Sequence, residues 1–564
     1  MSRNAKTKIL IISDFNADNF SEYLKNDEES PAVISNTSLF GQTMQTLADF
    51  SMPCWLDSPE FLIVWTQLHQ ISSSFNHFLI YEKSSIDSCF NEIDAFCNKL
   101  AEAAQRVTAL FVPTWTVPAH NRGLGMIDLK NDHGIGNILM RANLRLIDNL
   151  KSTTNIYILN AQRWMELAGA RNANNPKLWY MGKIAFGNEV FREAGRDIKS
   201  AIRAIRGQAR KLIILDLDNT IWGGIIGETG KENLRLGGHD PVGESFVDFQ
   251  KALKALKTRG TLLAIVSKND ENIAIDAISS HPEMILQLND FVGWRINWKD
   301  KAENILELAS ELNIGLQSIV FIDDSPNERS RVREAISEVE VPDWPEDSLL
   351  YTKTLLSMRC FDSFAITEED MQRTKLYTAE KERTAAHTAG QSLDEWLHSL
   401  KTHVIAEQLT SINLSRTVQL LNKTNQMNLS TRRMTETELS IWAEHKNHHL
   451  WTFRVTDKFG DAGLTGIASL EIEKGTVSII DFILSCRILG RKIEQAMLHF
   501  IINKAKQLGG EKIEATYIPT PKNQVCLSFW KESSGFVENA DSGIFTYNNL
   551  ASYPLPASIV LVEN

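Results

Sequence analysis

The stretch KLIILDLDNTIWGG, from Lys211 to Gly224, decides the fold of the middle of the chain. Its apolar run, residues 212–215, predicts a buried strand of a parallel sheet, because such strands are covered on both faces. Asp216 and Asp218 follow this run at the carboxyl end of the strand, where open α/β sheets bind their ligands. Two carboxylates so close together repel each other, which indicates that a positive group lies between them.

Two further segments in this region end in the same way. TLLAIVS ends at Ser267 and SIVFIDD ends at Asp323 and Asp324, while Lys301 opens the helical segment before the last strand. Because parallel strands end at one edge of their sheet, we expect all these side chains to converge there. Carboxylate oxygens are ligands that suit Mg²⁺. The predicted metal ligands are the four aspartates of this edge: Asp216, Asp218, Asp323 and Asp324.

This arrangement indicates phosphoryl chemistry. An aspartate beside Mg²⁺ can attack phosphorus and form an aspartyl-phosphate. A second aspartate at the same strand end is placed to protonate the leaving oxygen and then to activate water. Of the two nearby lysines, Lys301 is preferred over Lys299, because it begins the amphipathic AENILELA run and its side chain then points back toward the sheet edge.

The order and intervals of these residues resemble the four motifs of the haloacid-dehalogenase (HAD) superfamily. The resemblance implies that Asp216 is the nucleophile and Asp218 the general acid and base. It implies that Ser267 and Lys301 hold the transferring phosphoryl group, and that the last two aspartates complete the Mg²⁺ site. The intervals between the motifs leave no room for a large lid domain, so we expect a capless phosphatase domain.

Size and composition limit the function of the whole chain. Its 564 residues require several domains, and 43% hydrophobic with 23% charged residues is typical of soluble globular proteins. The net charge of −11 argues against general nucleic-acid binding. No apolar run approaches the length of a membrane span, and the six cysteines form no C-x-x-C pair. We expect a reduced, cytoplasmic protein with no membrane partner.

Changes in pattern along the chain predict an α/β multidomain protein. Strand-like runs alternate with helices at the start of the chain, and the prolines of VPDWPEDS end the pattern of the middle region. Thr367 and Asp370 then cap a charged helix, and new strands begin after His403. The predicted segments are an α/β domain at 1–205, the phosphatase domain at 206–345, a helical connector at 346–402 and a further domain at 403–564.

The segment from Arg192 to Lys211 carries basic residues at spacings of mostly three and four, ahead of the first motif. This spacing predicts a helix with one basic face. Such a face is either simply solvated or a docking surface for an acidic partner, and both interpretations remain open here.

The sequence around the motifs resembles the FkbH-like branch of the phosphatases in four segments: DLDNTIWGGIIGETG, SKND, NWKDKAENI and FIDDSPNER. The resemblance extends over nearly the whole chain. It implies an SGNH-like N-terminal domain, a HAD-like Rossmannoid middle domain and a C-terminal α+β domain similar to GNAT acyltransferases. It also implies a reaction in polyketide-type biosynthesis: glyceryl is taken from 1,3-bisphosphoglycerate, dephosphorylated, and left as a thioester on the phosphopantetheine of an acyl carrier protein.

The N-terminal domain departs from its hydrolase relatives. Where they carry a Gly-Asp-Ser nucleophile, this chain has Ser13, Asp14 and Phe15. We therefore expect a non-hydrolytic domain with a structural or carrier-docking role.

The C-terminal segments follow the acyltransferase order: strand TVSIIDFILSC, loop RILGRK, a helix, strand EKIEATYIP and then Asn523. Backbone N–H groups at such a helix start bind phosphate. The resemblance implies substrate or pantetheine contacts from Arg487, Gly490, Lys492 and Asn523. Lys492 departs from the usual small residue, and Trp530 stands where relatives carry a proton-donating tyrosine, which indole cannot replace. Both departures weaken the prediction of ordinary acetyl transfer.

Cys486 ends the apolar strand just before the basic loop, where positive charge can favour a thiolate. We predict that it is a catalytic residue that accepts the acyl group; the alternative is a cysteine packed as a small hydrophobic residue. The function predicted for the whole chain is a bifunctional phosphatase and glyceryltransferase. The alternatives are a phosphatase fused to an acyl-CoA-dependent N-acyltransferase, and a scaffold that binds a carrier protein.

Overall fold

The computed structural model describes residues 6–117, 123–131, 133–385, 392–473, 475–520, 522–539, 542–547 and 553–564. The chain divides into two compact units, one formed by Met1–Arg203 with Met434–Ile441 and the other by Ala204–Arg433 with Trp442–Asn564. Among the described residues, no helix combines the length and the apolar composition that crossing a bilayer requires.

The first unit is built on a parallel sheet. Its strands are β1 (Thr7–Ser13), β2 (Val33–Thr37), β3 (Phe61–Trp65), β4 (Ala109–Pro113) and β5 (Ile156–Leu159), in the spatial order β2-β1-β3-β4-β5. Its helices are α1 (Asp18–Asn26), α2 (Thr43–Ala48), α3 (Leu68–Ile71), α4 (Ser73–Leu79), α5 (Ile86–Ala104), α6 (Ile135–Leu150), α7 (Ala161–Ala168), α8 (Ala170–Ala173), α9 (Pro176–Gly182) and α10 (Asn188–Ile205). Apolar side chains of β1, β3 and β4 pack against α5 and α6.

The end of β1 offers no exposed nucleophile. The Ser13 hydroxyl is buried and donates a hydrogen bond of 2.6 Å to the carbonyl oxygen of Phe15. Asp14 accepts a hydrogen bond of 2.7 Å from the Gln67 backbone N–H, and burial raises the pKa of its carboxyl to about 7. Both side chains therefore serve the local structure in this conformation.

The predicted basic helix forms as α10, but its basic residues do not make one solvent-facing surface. Lys199 is fully buried, with Nζ 3.0 Å from Asp27 Oδ1. Arg203 is mostly buried and lies 3.1 Å from a Glu29 carboxylate oxygen. These residues bind the helix to the loop after α1, because buried ammonium and guanidinium groups need acceptors. The structure thus gives Lys199 and Arg203, two residues of the predicted basic face, a structural role.

The middle of the chain forms a second parallel sheet. Its strands are β6 (Leu212–Leu215), β7 (Leu262–Ser267), β8 (Phe291–Ile296) and β9 (Ile319–Ile322), in the order β8-β7-β6-β9. Its helices are α11 (Ile226–Thr229), α12 (Pro241–Thr258), α13 (Glu271–Ser280), α14 (Lys301–Glu311), α15 (Pro326–Ala335) and α16 (Tyr351–Ser357). Strands β6 and β9 are adjacent and in register, with Leu212 opposite Ile319 and Leu215 opposite Ile322. The ends of these two strands therefore meet at one edge.

The core of this domain extends beyond the predicted limit at residue 345. Trp344, Tyr351, Leu355 and Phe361 are buried in the apolar cluster that covers one face of the sheet. The two prolines of VPDWPEDS mark a change of direction within the domain, and the helical turn after them returns to the core.

The remainder of the second unit begins with the connector helices. These are α17 (Glu368–Met371), α18 (Arg373–Ala385) and α19 (Leu393–Leu400). The predicted cap is present, because Thr367 Oγ1 accepts a hydrogen bond from the Asp370 N–H and the Asp370 side chain accepts one from the Thr367 N–H.

The C-terminal segment forms a mixed sheet with the order β16-β17-β15-β14-β13-β12-β10-β18, and β11 pairs with β14. The strands are β10 (Thr402–Gln408), β11 (Met427–Asn428), β12 (His448–Asp457), β13 (Gly460–Glu473), β14 (Thr476–Leu484), β15 (Lys512–Thr516), β16 (Val537–Glu538), β17 (Ile544–Tyr547) and β18 (Ile559–Glu563). The helices are α20 (Leu414–Lys423), α21 (Glu436–Ala443), α22 (Ile493–Gln507) and α23 (Gln524–Glu532).

Parallel strands β14 and β15 are joined by α22, whose apolar face packs on the sheet. This mixed topology agrees with the GNAT-like fold expected from the sequence. The protein is thus an α/β multidomain protein with a HAD-like parallel sheet in the middle and a GNAT-like α+β sheet at the C-terminus.

Candidate functional site

The phosphatase motifs meet at the carboxyl ends of β6 and β9. Asp216 follows β6, Asp323 and Asp324 follow β9, and carboxylate oxygens of all three lie within 4.8 Å of one another. Lys301, the first residue of α14, lies with Nζ 2.7 Å from Asp323 Oδ2 and 3.2 Å from Asp216 Oδ1. Lys299 is exposed and pairs with Glu307, so the structure brings Lys301 to the carboxylates.

The charges of this cluster do not balance. Burial and the neighbouring Asp216 carboxylate raise the pKa of Asp323 to about 6, and the same two causes raise the pKa of Asp324. Burial disfavours the charged form of Lys301, but the carboxylates of Asp216 and Asp323 outweigh it and raise the lysine pKa. Asp216 Oδ1 is buried, and its 3.2 Å contact with Lys301 Nζ is an ion pair without hydrogen-bond geometry. Three acidic groups around one ammonium are a donor set that fits a divalent cation with oxygen ligands.

The Asp218 side chain lies outside this group of three carboxylates, and its role as a metal ligand stays a prediction. Its Oδ1 accepts hydrogen bonds from Trp222 Nε1 at 2.9 Å and from the Ile226 N–H at 3.1 Å. Its Oδ2 accepts a hydrogen bond of 3.0 Å from Asn269 Nδ2. These three donors hold the Asp218 carboxylate away from the other three aspartates. This position suits a general acid and base better than a metal ligand.

Asn269 is a site residue that the sequence analysis did not single out, although SKND includes it. Its buried Nδ2 donates both to Asp218 and to Ser267 Oγ, the latter over 3.2 Å, and so links the first two motifs. Ser267 ends β7 and is itself buried. Thr220 Oγ1 also accepts a hydrogen bond of 3.2 Å from the Asp324 N–H.

A second candidate site surrounds Cys486, which follows β14. The thiol lines a cavity of about 320 Å³ within the second unit. The cavity is bounded by the amino-terminal ends of β6 and β9, by the connector helices and by α20. Among the charged residues of the described lining, the cations outnumber the acids: Lys211, Arg373, Arg416, Lys423, Arg487 and Lys522, against Glu369 and Asp370.

Burial and mutual repulsion disfavour the charged forms of these cations and lower their pKa values. Burial, followed by the charge of Arg373, lowers the pKa of Lys211 to about 7. Burial also lowers the pKa of Lys423 to about 8, although Asp370 opposes the shift. Arg416 has its pKa lowered to about 10 by burial, and its guanidinium is 2.7 Å from Glu369. A multiply charged anion would relieve this repulsion, so the cavity fits a phosphorylated compound.

Tyr377 of α18 lies beside the thiol. Both residues line the cavity, and burial, followed by the negative charge of a Cys486 thiolate, raises the pKa of the phenol to about 12. The phenol therefore stays protonated and can donate a hydrogen bond. The Cys486 carbonyl oxygen accepts a hydrogen bond of 3.0 Å from Asn313 Nδ2, which attaches the Cys486 loop to the end of α14.

The structure separates the other residues predicted in the C-terminal domain. Arg487 lines the cavity with Cys486. Lys492 pairs with Asp394 of α19 at 2.5 Å. Asn523 is fully buried and makes hydrogen bonds through both ends of its amide, to Tyr517, Thr520, Asn428 and Ile518. These bonds give Asn523 a structural role, and its pantetheine contact stays a prediction.

Gly490 lines a different cavity of about 170 Å³ at the start of α22. The described lining of that cavity contains Glu494 and Glu532 and no lysine or arginine. Burial raises the pKa of Glu494. None of the described lining residues therefore supplies a cation for a pyrophosphate such as that of coenzyme A. Trp530 is fully buried among Phe482, Phe536 and other rings, so it belongs to the core.

No family model matches this chain, and no curated protein sequence matches it. The chain is similar to the crystal structure of the N-terminal part of the protein BF1531 from Bacteroides fragilis, which contains a phosphatase domain and is complexed with Mg. The two are 26% identical with a TM-score of 0.59, over 64% of this chain and 95% of that one.

Two acetyltransferase structures also match. Spermidine N-acetyltransferase from Vibrio cholerae, in complex with CoA and spermine, is 18% identical with a TM-score of 0.20, over 24% of this chain and 82% of that one. The ribosomal-protein-S18-alanine N-acetyltransferase from Escherichia coli is 12% identical with a TM-score of 0.20, over 27% of this chain and 98% of that one.

Proposed function

We propose that this protein is a bifunctional phosphatase and glyceryltransferase, which takes glyceryl from 1,3-bisphosphoglycerate and loads it on an acyl carrier protein. The observation that carries the proposal is the position of Cys486 in a cavity lined by cationic side chains. An acyl phosphate combines an electrophilic carbonyl, which a thiolate attacks, with phosphates that the cations bind.

The acyl-transfer step needs no strong catalytic acid, because the phosphate of an acyl phosphate is already a good leaving group. The Cys486 sulfur forms a bond to the acyl carbon, the bond from that carbon to the phosphate oxygen breaks, and inorganic phosphate leaves into the cationic cavity. Lys211, with a pKa of about 7, is neutral in a large fraction of molecules at neutral pH and takes the thiol proton. Tyr377 donates its hydrogen bond to the sulfur. The carrier thiol then attacks the thioester carbonyl and releases Cys486.

The phosphatase step uses the other site. A carboxylate oxygen of Asp216 forms a bond to phosphorus, and the glyceryl oxygen leaves with a proton from Asp218. Water then hydrolyses the aspartyl-phosphate and returns the proton to Asp218. Lys301 and Ser267 orient the phosphoryl group. Asp216, Asp323 and Asp324 would hold Mg²⁺, which would supply positive charge to the phosphoryl oxygens; the similar phosphatase-domain structure is complexed with Mg.

The alternative functions are less well supported. An acyl-CoA-dependent N-acyltransferase needs a pyrophosphate site at the start of α22, where the adjoining cavity is lined by Glu494 and Glu532. A carrier-binding scaffold has no need for Lys301 buried between Asp216 and Asp323.

Phosphate release and carrier mass test the proposal together. Enzyme, Mg²⁺, a candidate carrier and freshly generated 1,3-bisphosphoglycerate should give two phosphates for each glyceryl unit found on the carrier by intact-protein mass spectrometry. Asp216→Asn should abolish release of the ester phosphate while the fold stays intact, because an amide is a poor nucleophile. The proposal is wrong if the carrier gains no glyceryl-derived mass, and acyl-CoA consumption in its place would favour the N-acyltransferase.

A further inference from the structure

The two candidate sites lie at opposite ends of the same strands. On β6, Lys211 immediately precedes the strand and lines the Cys486 cavity, whereas Asp216 immediately follows it. On β9, Ser318 precedes the strand and lines the cavity, whereas Asp323 follows it. The two strands are parallel neighbours, so the separation is the same on both.

The length of these strands gives the separation. Lys211 and Asp216 are five residues apart, as are Ser318 and Asp323. At a rise of about 3.3 Å per residue, the sheet places roughly 16 Å between the two ends. Every residue of β6 and β9 is fully buried, so these strands leave no passage through the sheet. A group moving between the sites must pass around it.

A phosphoglyceryl group on Cys486 is too short for this movement. From the sulfur to phosphorus it spans five bonds, a reach of roughly 6 Å. The loop that carries the thiol is attached to the middle domain at its cavity end, through the 3.0 Å hydrogen bond from Asn313 Nδ2 to the Cys486 carbonyl. Arg487, next in the chain, lies 3.6 Å from Glu369 of α17. The ester phosphate therefore cannot reach Asp216 while the acyl group is on Cys486.

We infer that the phosphatase site acts after transfer, on a phosphoglyceryl group carried as a thioester by the phosphopantetheine arm of the carrier. This inference rests on the proposed function and defines its order. The long arm leaves the cavity with the acyl group and presents the phosphate at the other end of the sheet. The short intervals between the phosphatase motifs leave no room for a large inserted lid domain, which suits a substrate attached to a protein.

The reaction balances without another reactant. Thioester exchange moves phosphoglyceryl from the Cys486 sulfur to the carrier sulfur, and the proton of the carrier thiol ends on the released Cys486 sulfur. At the second site, the bond between phosphorus and the glyceryl oxygen is broken as an oxygen of Asp216 attaches to phosphorus. Water completes the hydrolysis, and the products are inorganic phosphate and glyceryl carrier.

The first arm of the test uses Asp216→Asn with 1,3-bisphosphoglycerate, Mg²⁺ and carrier. Intact-protein mass spectrometry should show phosphoglyceryl on the carrier, formed at a rate within about threefold of wild type. Asp248→Asn makes the same chemical change at an exposed position of α12 and should give dephosphorylated glyceryl carrier. If Asp216→Asn holds phosphoglyceryl on Cys486 and leaves the carrier unloaded, the order is reversed.

The second arm starts from carrier loaded chemically with phosphoglyceryl, so it does not depend on the Cys486 reaction. Wild-type enzyme should release its phosphate with kcat/KM at least tenfold above that for free 3-phosphoglycerate, and Asp216→Asn should not. Equal values for the two substrates, or no release from the loaded carrier, would overturn the inference. Success in this arm without loading from 1,3-bisphosphoglycerate would refute the proposed acyl donor and retain the carrier-borne substrate.

Discussion

Lys211 donates a hydrogen bond of 3.0 Å from its amine to the backbone carbonyl of Lys423, so two lysines meet in one buried cavity. Both have folded-state pKa values below the ordinary 10.5, at about 7 and about 8. The unfolded chain therefore binds more protons at these positions than the folded chain. Their contribution raises the stability of the anion-free protein as pH rises from 7 to 10, and at neutral pH a bound anion should offset the cost.

Inorganic phosphate should accordingly stabilise the protein. At free phosphate about 100-fold above its Kd, the free energy of unfolding rises by about 2.7 kcal/mol and the melting temperature by a few degrees. Lys423→Met should lose most of this increase in a thermal-unfolding assay. Lys251→Met, which removes an exposed lysine of α12, should retain it. An equal response from both variants would mean that phosphate does not bind in the cavity.

Anion affinity should also fall as pH rises. Sulfate keeps a constant charge between pH 6 and pH 9, so its affinity reports the protein's own titration. We expect it to weaken first near pH 7, as Lys211 loses its proton, and again near pH 8, as Lys423 does. Calorimetric titration at several pH values measures this. Lys211→Arg should remove the first step, and a flat profile in wild type would exclude both lysines.

Asn269→Ala should impair the phosphatase by releasing Asp218, which it positions through a 3.0 Å hydrogen bond. We expect kcat to fall about 10- to 100-fold on a phosphate ester with a poor leaving group. The loss should be much smaller on p-nitrophenyl phosphate, whose leaving group needs no proton. Asn272→Ala, at an exposed position of α13, is the control. An equal loss on both substrates would point to a general structural defect.

Chelation should stop phosphate release. The carboxylates of Asp216, Asp323 and Asp324 face a single buried ammonium, so a divalent cation is needed to balance them. EDTA should abolish the activity, and added Mg²⁺ should restore it and raise the melting temperature. Phosphate release that persists in EDTA, with the metal content measured as zero, would contradict the metal assignment.

The phosphatase domain was predictable from the sequence because its motifs are local sequence patterns. Each motif lies directly after an apolar run, and parallel strands must end together, so Asp216, Asp323 and Lys301 were expected to meet. The side-chain direction of Asp218 was not, since it depends on Trp222 and Asn269. Strand β8 was missed because FVGWRI lies at the sheet edge and includes a glycine and an arginine.

The cationic cavity was not predictable in the same way. Lys211, Tyr377, Lys423 and Cys486 come from segments far apart in the sequence, and no spacing relates them. The resemblance to acyltransferases pointed to Gly490, Lys492 and Asn523, which the fold places in other surroundings. In the sequence, Lys211 looked like the end of a basic helix. Its burial could not be predicted, because it depends on α20 and the connector helices, which pack around it only in the folded chain.

The most direct test of the account is to incubate the enzyme with 1,3-bisphosphoglycerate without carrier and to measure its intact mass, followed by peptide mapping. The account predicts one added phosphoglyceryl unit, located on Cys486, and its absence in Cys486→Ala together with loss of carrier loading. Cys54→Ala, which removes a partly buried cysteine of the first unit, should behave as wild type. If Cys486→Ala loads the carrier at the wild-type rate, the carrier thiol attacks the acyl phosphate directly and the central claim is wrong.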